Sequence, residues 1–260
     1  MPKSRNPVIQ IDTFQAYFNK PYIIDLPSAD GQIVMKQPRI RDLIELGEDK
    51  FYGTISIFTT NTTAYRLPLW DAGYDWNIVS DFELFLQLYG QINFEVSKLI
   101  FGDLDFSLFE LYQVIHDDDS SEIVMKHSIT GDVINEEVYH HICQYLRMTM
   151  NMHPQEKLTD DPILKEWFIE KDRGEVHNRE IKGDDNSSAF FPIISACINH
   201  PGFKYNIDSV QDLTLFQFFD SVSRLQIYES TTALLKGMYS GFVDTSKIPN
   251  ESFNFMRETK

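Results

Sequence analysis

Apolar residues between Ser209 and Gly241 recur at helical spacing on two sides of one long segment. At about 100° per residue, Leu215, Phe218, Phe219, Val222 and Leu225 fall on one face. Leu213, Phe216 and Ile227 fall on nearly the opposite side, with Asp220 and Arg224 between them at i,i+4. A helix that is apolar on two sides is either buried in a core or shared with another chain. Ser209 and Asp212 predict its start, as an S-x-x-D variant of the capping box. Gly241 predicts its stop as a left-handed cap after Tyr239 and Ser240.

Elsewhere the signals are shorter. Residues 1–19 read as a flexible lead with a weak helix from Asp12 to Phe18. Tyr22 to Leu26 and Gln32 to Gln37 read as strands, joined by a turn holding the pair Asp30-Gly31. Pro38 opens a helical stretch to Leu46, Gly47 interrupts it, and a second helix runs from Glu48 to Phe58. Thr59 to Thr63 reads as a polar loop and Leu67 to Trp70 as a brief strand. Ser80 and Glu83 form a capping box ahead of Leu84, Phe85, Leu88 and Tyr89. Phe106 to Ile115 and Glu122 to Ile129 predict a second hairpin, with Asp117 to Ser121 at its turn.

Everything beyond reads as helical. Val138, Ile142, Tyr145, Leu146 and Thr149 make one stripe. Asp161 caps a helix led by Pro162, with Leu164, Trp167 and Phe168 inward. Glu170 to Asp185 is dense in charge and reads as a linker or an exposed helix end. Ser187 or Ser188 starts a helix through Asn199. The expected class is therefore α+β, predominantly helical, with two short β-hairpins and a larger C-terminal helical part. The expected divisions are a flexible lead over 1–19, an α+β domain over 20–100, a hairpin bridge over 101–131 and a helical domain over 132–260.

Composition adds an aromatic core and a strong sign of charge. With 20 Phe and 12 Tyr among 260 residues, the chain has ample material for a packed interior and is not a disordered composition. Lys and Arg number 23 against 39 Asp and Glu, a net charge of −16. That balance opposes binding to a phosphate backbone or to anionic lipid, so neither nucleic acid nor membrane is expected as a partner. It serves solubility and also suits a basic partner. No apolar run reaches the ~18–20 residues that span a bilayer, and the N-terminal residues lack a signal-peptide pattern. Cys143 and Cys197, each in an apolar helical pattern, read as reduced thiols in a cytosol.

Candidate chemistry is sparse. His140, His141 and Cys143 lie close in sequence, with His153 nearby, but spacings of one, two and three spread side chains around a helix. His140 and Cys143 could share an ion at i,i+3, yet two ligands do not make a site. Asp103, Asp105 and the run Asp117 to Asp119 lack the alternation, central Gly and terminal Glu of a calcium loop. No G-x-S-x-G, phosphate-binding Gly-Lys-Ser/Thr loop or G-x-G-x-x-G occurs. No catalytic residue, cofactor or metal is expected, and catalysis without a motif stands as an alternative. An exposed Asp220–Arg224 pair would be an ordinary helix bridge worth about 0.3–0.5 kcal/mol. A buried one would fix a docking geometry.

Several segments taken in order carry a resemblance: Asp42-Leu43-Ile44 through Tyr52, Leu69 to Asp75, Asp81 to Leu86, Trp167 to Glu170, Gly202 to Asn206, Phe219 to Arg224 and Leu234 to Phe242. Over most of residues 20–245 the chain resembles proteins encoded in the tail gene clusters of bacteriophages of Gram-positive hosts. Its N-terminal third resembles phage baseplate-hub assembly chaperones in layout, with Pro27, Ser28, Gly31, Pro38, Asp81, Glu83 and Phe85 as the matching residues. Gln87, Leu88, Tyr89 and Gly90 stand where those chaperones carry basic residues. The resemblance implies a non-enzymatic tail-morphogenesis protein, an assembly chaperone or adaptor for a tail or baseplate component, working in the host cytoplasm. A structural protein retained in the virion is the alternative. Aromatic side chains dominate interface energetics, so the candidate partner-binding residues are Phe82, Phe85, Phe216, Asp220, Arg224 and Tyr239.

Overall fold

Polar caps set where most elements begin. In the computed structural model, which describes residues 9–27, 31–115, 121–183, 187–241 and 244–259, Asp12 accepts hydrogen bonds from the N–H groups of Phe14 and Gln15 and starts α1 (Thr13–Tyr17). Two short strands follow, β1 (Tyr22–Asp25) and β2 (Gln32–Met35), paired antiparallel with Ile23 opposite Val34. The turn expected between them includes residues 28–30, which lie outside the described residues. Gly47, at φ 83°, separates α2 (Ile40–Leu46) from α3 (Glu48–Thr59), a left-handed position that favours glycine. Ser80 and Glu83 form the expected capping box at the start of α5 (Asp81–Leu88). The segment expected as a brief strand is instead α4 (Arg66–Asp71), held by Arg66 and by Trp70, whose ring meets Trp76 at 5.8 Å.

After α6 (Phe94–Phe101), Asp105 accepts from the N–H of Ser107 and holds Phe106–Leu108 in a 3₁₀ turn. The strand expected from Phe106 therefore begins three residues later, as β3 (Phe109–Ile115). It pairs antiparallel with β4 (Ser121–His127), which pairs with β5 (Val133–Ile134), in the order β3-β4-β5. Of the turn expected between β3 and β4, residues 116–120 lie outside the described residues. Then come α7 (Glu136–Thr149), α8 (Pro162–Lys182), α9 (Phe191–Ile198) and α10 (Leu215–Tyr239). Of the described residues 55% are helical, and they carry two small antiparallel sheets, which makes the fold predominantly helical α+β.

The chain divides into two compact units. One comprises residues 1–38 and 42–187, the other residues 39–41 and 188–260. Positions 100 and 131, where the sequence suggested divisions, both lie within the first unit. That unit is built around α3, whose Phe51, Ile55 and Phe58 are each 0% exposed. Phe58 touches the rings of Phe85, Phe101 and Phe106 at 5.2–5.4 Å. The α7 stripe of Val138, Ile142, Tyr145, Leu146 and Thr149 is buried throughout, as its spacing requires. Tyr145 also stacks on Tyr22 of β1 at 4.6 Å.

The loop Thr59 to Thr63 is polar, as its sequence suggests, but it lies inside the first unit rather than on its surface. Asn61, Thr62 and Thr63 are only 5–7% exposed. The side chains of Asn61 and Thr63 serve a stretch without regular structure, residues 152–160, while the Thr62 N–H donates to Asp81. Asn61 Nδ2 donates to the carbonyl of Gln155, and the N–H of Lys157 donates to Thr63 Oγ1. Trp76 Nε1 donates to the carbonyl of Lys157, and Asn77 bonds both backbone groups of Thr159. Alternate residues 155, 157 and 159 thus behave as a strand whose neighbour is a row of side chains. Buried backbone groups need partners, and here side chains supply them.

Helix α8 corrects a second expectation. Leu164 and Trp167 are 44% and 56% exposed, while Ile169 is buried at 3%. The packed face runs through Lys165, Phe168, Ile169 and Asp172. Lys165 Nζ pairs with Asp75 at 2.5 Å, and Arg66 lies over the Phe168 ring at 4.7 Å. Two charged residues on the inner side displaced the stripe by one position from an apolar-only reading. The charge-dense run from Glu170 continues this helix to Lys182 and is mostly exposed.

Candidate interaction surface

The second unit starts from an aromatic cluster. Phe218 of α10 is fully buried and meets Phe190, Phe203 and Phe219 at 5.3–6.3 Å. Gly202 allows the preceding turn to approach α10: a Cβ there would sit 3.1 Å from a methyl of Leu225. Helix α10 begins at Thr214, not at Ser209. Thr214 Oγ1 accepts from the Gln217 N–H, and Gln217 Oε1 accepts from the Thr214 N–H, a complete capping box. Ser209 instead bonds Asn206 in a local turn, and Val210–Asp212 form a 3₁₀ turn. An S-x-x-D pattern describes both arrangements equally well, which is why it misplaced the start. Residues 39–41 join this unit through the Ile40 N–H, which donates to the Leu213 carbonyl, and through an ion pair of Arg41 with Asp212.

The C-terminal residues fold back along α10. Arg257 Nη1 donates to Thr231 Oγ1 at 2.8 Å and to the carbonyls of Ser252 and Asn254. Thr231 is 1% exposed and itself donates to the Ser252 carbonyl at 3.2 Å. Arg224 Nη1 donates to the Arg257 carbonyl at 2.6 Å. This latch places Phe255 against Tyr228 at 6.4 Å and leaves Tyr228, Phe255 and Met256 exposed together at 54%, 53% and 70%. The result is an apolar patch bordered by guanidinium groups.

The sequence-predicted residues separate into two groups. Phe82 and Phe85 are interior residues of the first unit, 4% and 1% exposed, stacked around Tyr139 at 5.5 and 4.8 Å. That corrects their assignment as partner anchors, because their rings are already spent on the core. Phe216, Asp220, Arg224 and Tyr239 all lie on α10. Phe216 is half-buried; Asp220 and Arg224 form an ion pair at 3.7 Å with side chains 21% and 44% exposed. A pair so exposed is an ordinary bridge, although Arg224 gains weight from its bond to the C-terminal backbone. Tyr239 is 82% exposed. At 1.5 Å per residue, Phe216 and Tyr239 stand about 35 Å apart along the helix, so they cannot serve one small contact. Periodicity did not reveal Tyr228, Phe255 and Met256, since the fold-back that groups them rests on side-chain bonds of Arg257.

The side chains weighed for chemistry turn to separate partners. His141 Nδ1 meets the Tyr22 hydroxyl at 2.7 Å, and His140 Nε2 faces Glu136 at 3.7 Å. Burial pushes the Cys143 thiol up to about 11, which keeps it protonated and unreactive near neutral pH. Burial also raises the Cys197 thiol. Asp105 serves the Ser107 turn, and Asp103 pairs with Lys98 at 3.3 Å. Among the described residues no group of three or more His, Cys, Asp or Glu is arranged to hold a metal ion, and no helix is long and apolar enough to cross a membrane.

No curated protein and no solved structure gives a match to the chain. Residues 185–260 match the family model of the YomV second domain. It is a phage-type family, and the match fits a phage-associated protein. The match begins within a few residues of Ser188, where the second compact unit takes up the chain. The aromatic cluster, the capped α10 and the Arg257 latch therefore all lie in the part of the chain that is similar to the YomV second domain.

Proposed function

We propose that this is a non-enzymatic phage protein of tail morphogenesis, an assembly chaperone or adaptor that holds a tail or baseplate component through the α10 surface. The carrying observation is the exposed patch of Tyr228, Phe255 and Met256, locked in place by Arg257. Apolar surface rimmed by polar groups marks contact sites, and Tyr and Arg are the side chains most enriched among binding hot spots. Tyr239 extends the same helix toward its C-terminal end. The net charge of −16 suits a basic partner, and two free cysteines are in keeping with work in a host cytoplasm.

Affinity capture from infected cells tests the proposal, using the parent chain and the variants Phe255→Ala and Tyr239→Ala. A tail or baseplate protein recovered with the parent and lost with Phe255→Ala supports the role. Equal recovery with a folded Phe255→Ala protein refutes the surface. Mass spectrometry of purified particles separates a transient chaperone, absent from them, from a component retained at stoichiometric level.

A further inference from the structure

The hairpin of β3 and β4 carries a second, independent docking edge. Strand β3 lies at the border of its sheet, and of its seven residues only Phe109 is buried. In an antiparallel pair, residues alternate between facing the neighbour and facing away. The Ser128 N–H donates to the Leu108 carbonyl, and the register pairs Phe109 with His127. Even-numbered residues of β3 therefore bond β4, while the N–H and C=O groups of Leu111, Gln113 and Ile115 point away from it. The Tyr89 hydroxyl donates to the Phe109 carbonyl from outside the sheet, which fits the same alternation. Among the described residues nothing is hydrogen-bonded to the outward groups of Leu111, Gln113 and Ile115.

The side chains along this edge are apolar and uncovered. Leu111, Tyr112, Val114 and Ile115 are 47%, 45%, 37% and 72% exposed, with Ile123 of β4 at 48%. Strand edges of this kind are usually blunted by Lys, Pro or a bulge; between 109 and 115 the only charge is Glu110. An edge left open is a template for an added strand.

Charge selects the occupant. Glu110 and Glu122 flank the edge, and Asp117, Asp118 and Asp119 follow Ile115 in sequence, against Lys126 alone. Antiparallel pairing of two copies through β3 would set Glu110 of both chains along one short ladder, in molecules each carrying −16. Like charges so placed oppose the pairing. We propose that the β3 edge from Leu111 to Ile115 takes up an extended segment of a partner protein in which β-branched residues alternate with Lys or Arg. This edge belongs to the first unit, and its use does not depend on the role assigned to α10.

The test uses the full chain and two labelled eight-residue peptides, one alternating Val and Thr with Lys, the other identical but with Glu for Lys. Fluorescence anisotropy should show the basic peptide binding on the order of tenfold more tightly than the acidic one, with affinity falling as salt rises. Hydrogen exchange should show added protection at the amides of Leu111, Gln113 and Ile115. Gln113→Pro removes an outward N–H without touching the β4 ladder, a place where an edge tolerates proline, and should abolish binding. Should that variant fail to fold, Ile115→Lys serves instead, expected to weaken the basic peptide about fivefold by like charge. Equal binding of both peptides, or unchanged binding by a folded Gln113→Pro, overturns the proposal. So does a dimer seen in sedimentation that Gln113→Pro dissolves, because the occupant would then be a second copy.

Discussion

Arg66 grips Asp172 with two nitrogens, Nε to Oδ2 at 2.6 Å and Nη2 to Oδ1 at 2.5 Å, and its side chain is only 9% exposed. This pair joins α4 to α8 beside the small core of Leu69, Trp76 and Ile169. Removing one partner leaves the other charge buried and unpaired. Asp172→Ala is expected to cost about 3 kcal/mol, read as a lower urea midpoint. A double change to Arg66→Met and Asp172→Leu should recover most of that loss.

Phe82 and Tyr239 should behave oppositely although both are aromatic. Phe82→Ala opens a cavity against Tyr139 and Phe85 and is expected to destabilise the first unit by about 3–5 kcal/mol. Tyr239→Ala, at a site 82% exposed, should leave thermal unfolding unchanged and act only on partner capture. A Tyr239→Ala protein that melts well below the parent would show that the ring has a structural role.

His140 makes stability depend on pH. Burial holds its imidazole below the ordinary value of 6.5; Glu136 and Asp81 oppose that shift, and Arg147 and His141 add to it. The unfolded chain therefore binds the proton more readily than the folded one. The stabilising effect is present above about pH 6.5 and is lost as pH falls through the folded value. Melting curves from pH 7.5 to 5 should show the parent losing stability more steeply than His140→Gln. Parallel curves would assign the acid sensitivity to other groups.

The two possible starts of α10 give a direct comparison. Thr214→Ala removes one half of the capping box and should cost about 1 kcal/mol. Ser209→Ala should cost the helix itself almost nothing, because its hydroxyl serves only the local turn at Asn206. Denaturant titration of both variants side by side decides the matter.

Elements with a strong period or a clean cap were legible in the sequence. The α7 stripe, the Ser80–Glu83 box, the Asp161–Pro162 start and the Gly47 break all lie where local physics puts them. The losses came where tertiary bonds overrode local pattern. Arg66 made a helix of a strand-like Leu67-Pro68-Leu69-Trp70, and Lys165 and Asp172 turned a charged face of α8 inward. Phe82 and Phe85 share the spacing of a contact face, and only packing against Tyr139 distinguishes core from surface. The patch at Tyr228 and Phe255 spans distant positions and needed the Arg257 fold-back to exist at all.

The side chains that hold residues 155, 157 and 159 set a fixed register for a stretch that a sequence reader would treat as spare connection. Loops commonly absorb an inserted residue. Here one added between Gln155 and Thr159 would put the two ends of the stretch out of register, so that the bonds of Asn61 to Gln155 and of Asn77 to Thr159 could not both be kept. Length, more than composition, is what natural variation should find forbidden in this segment.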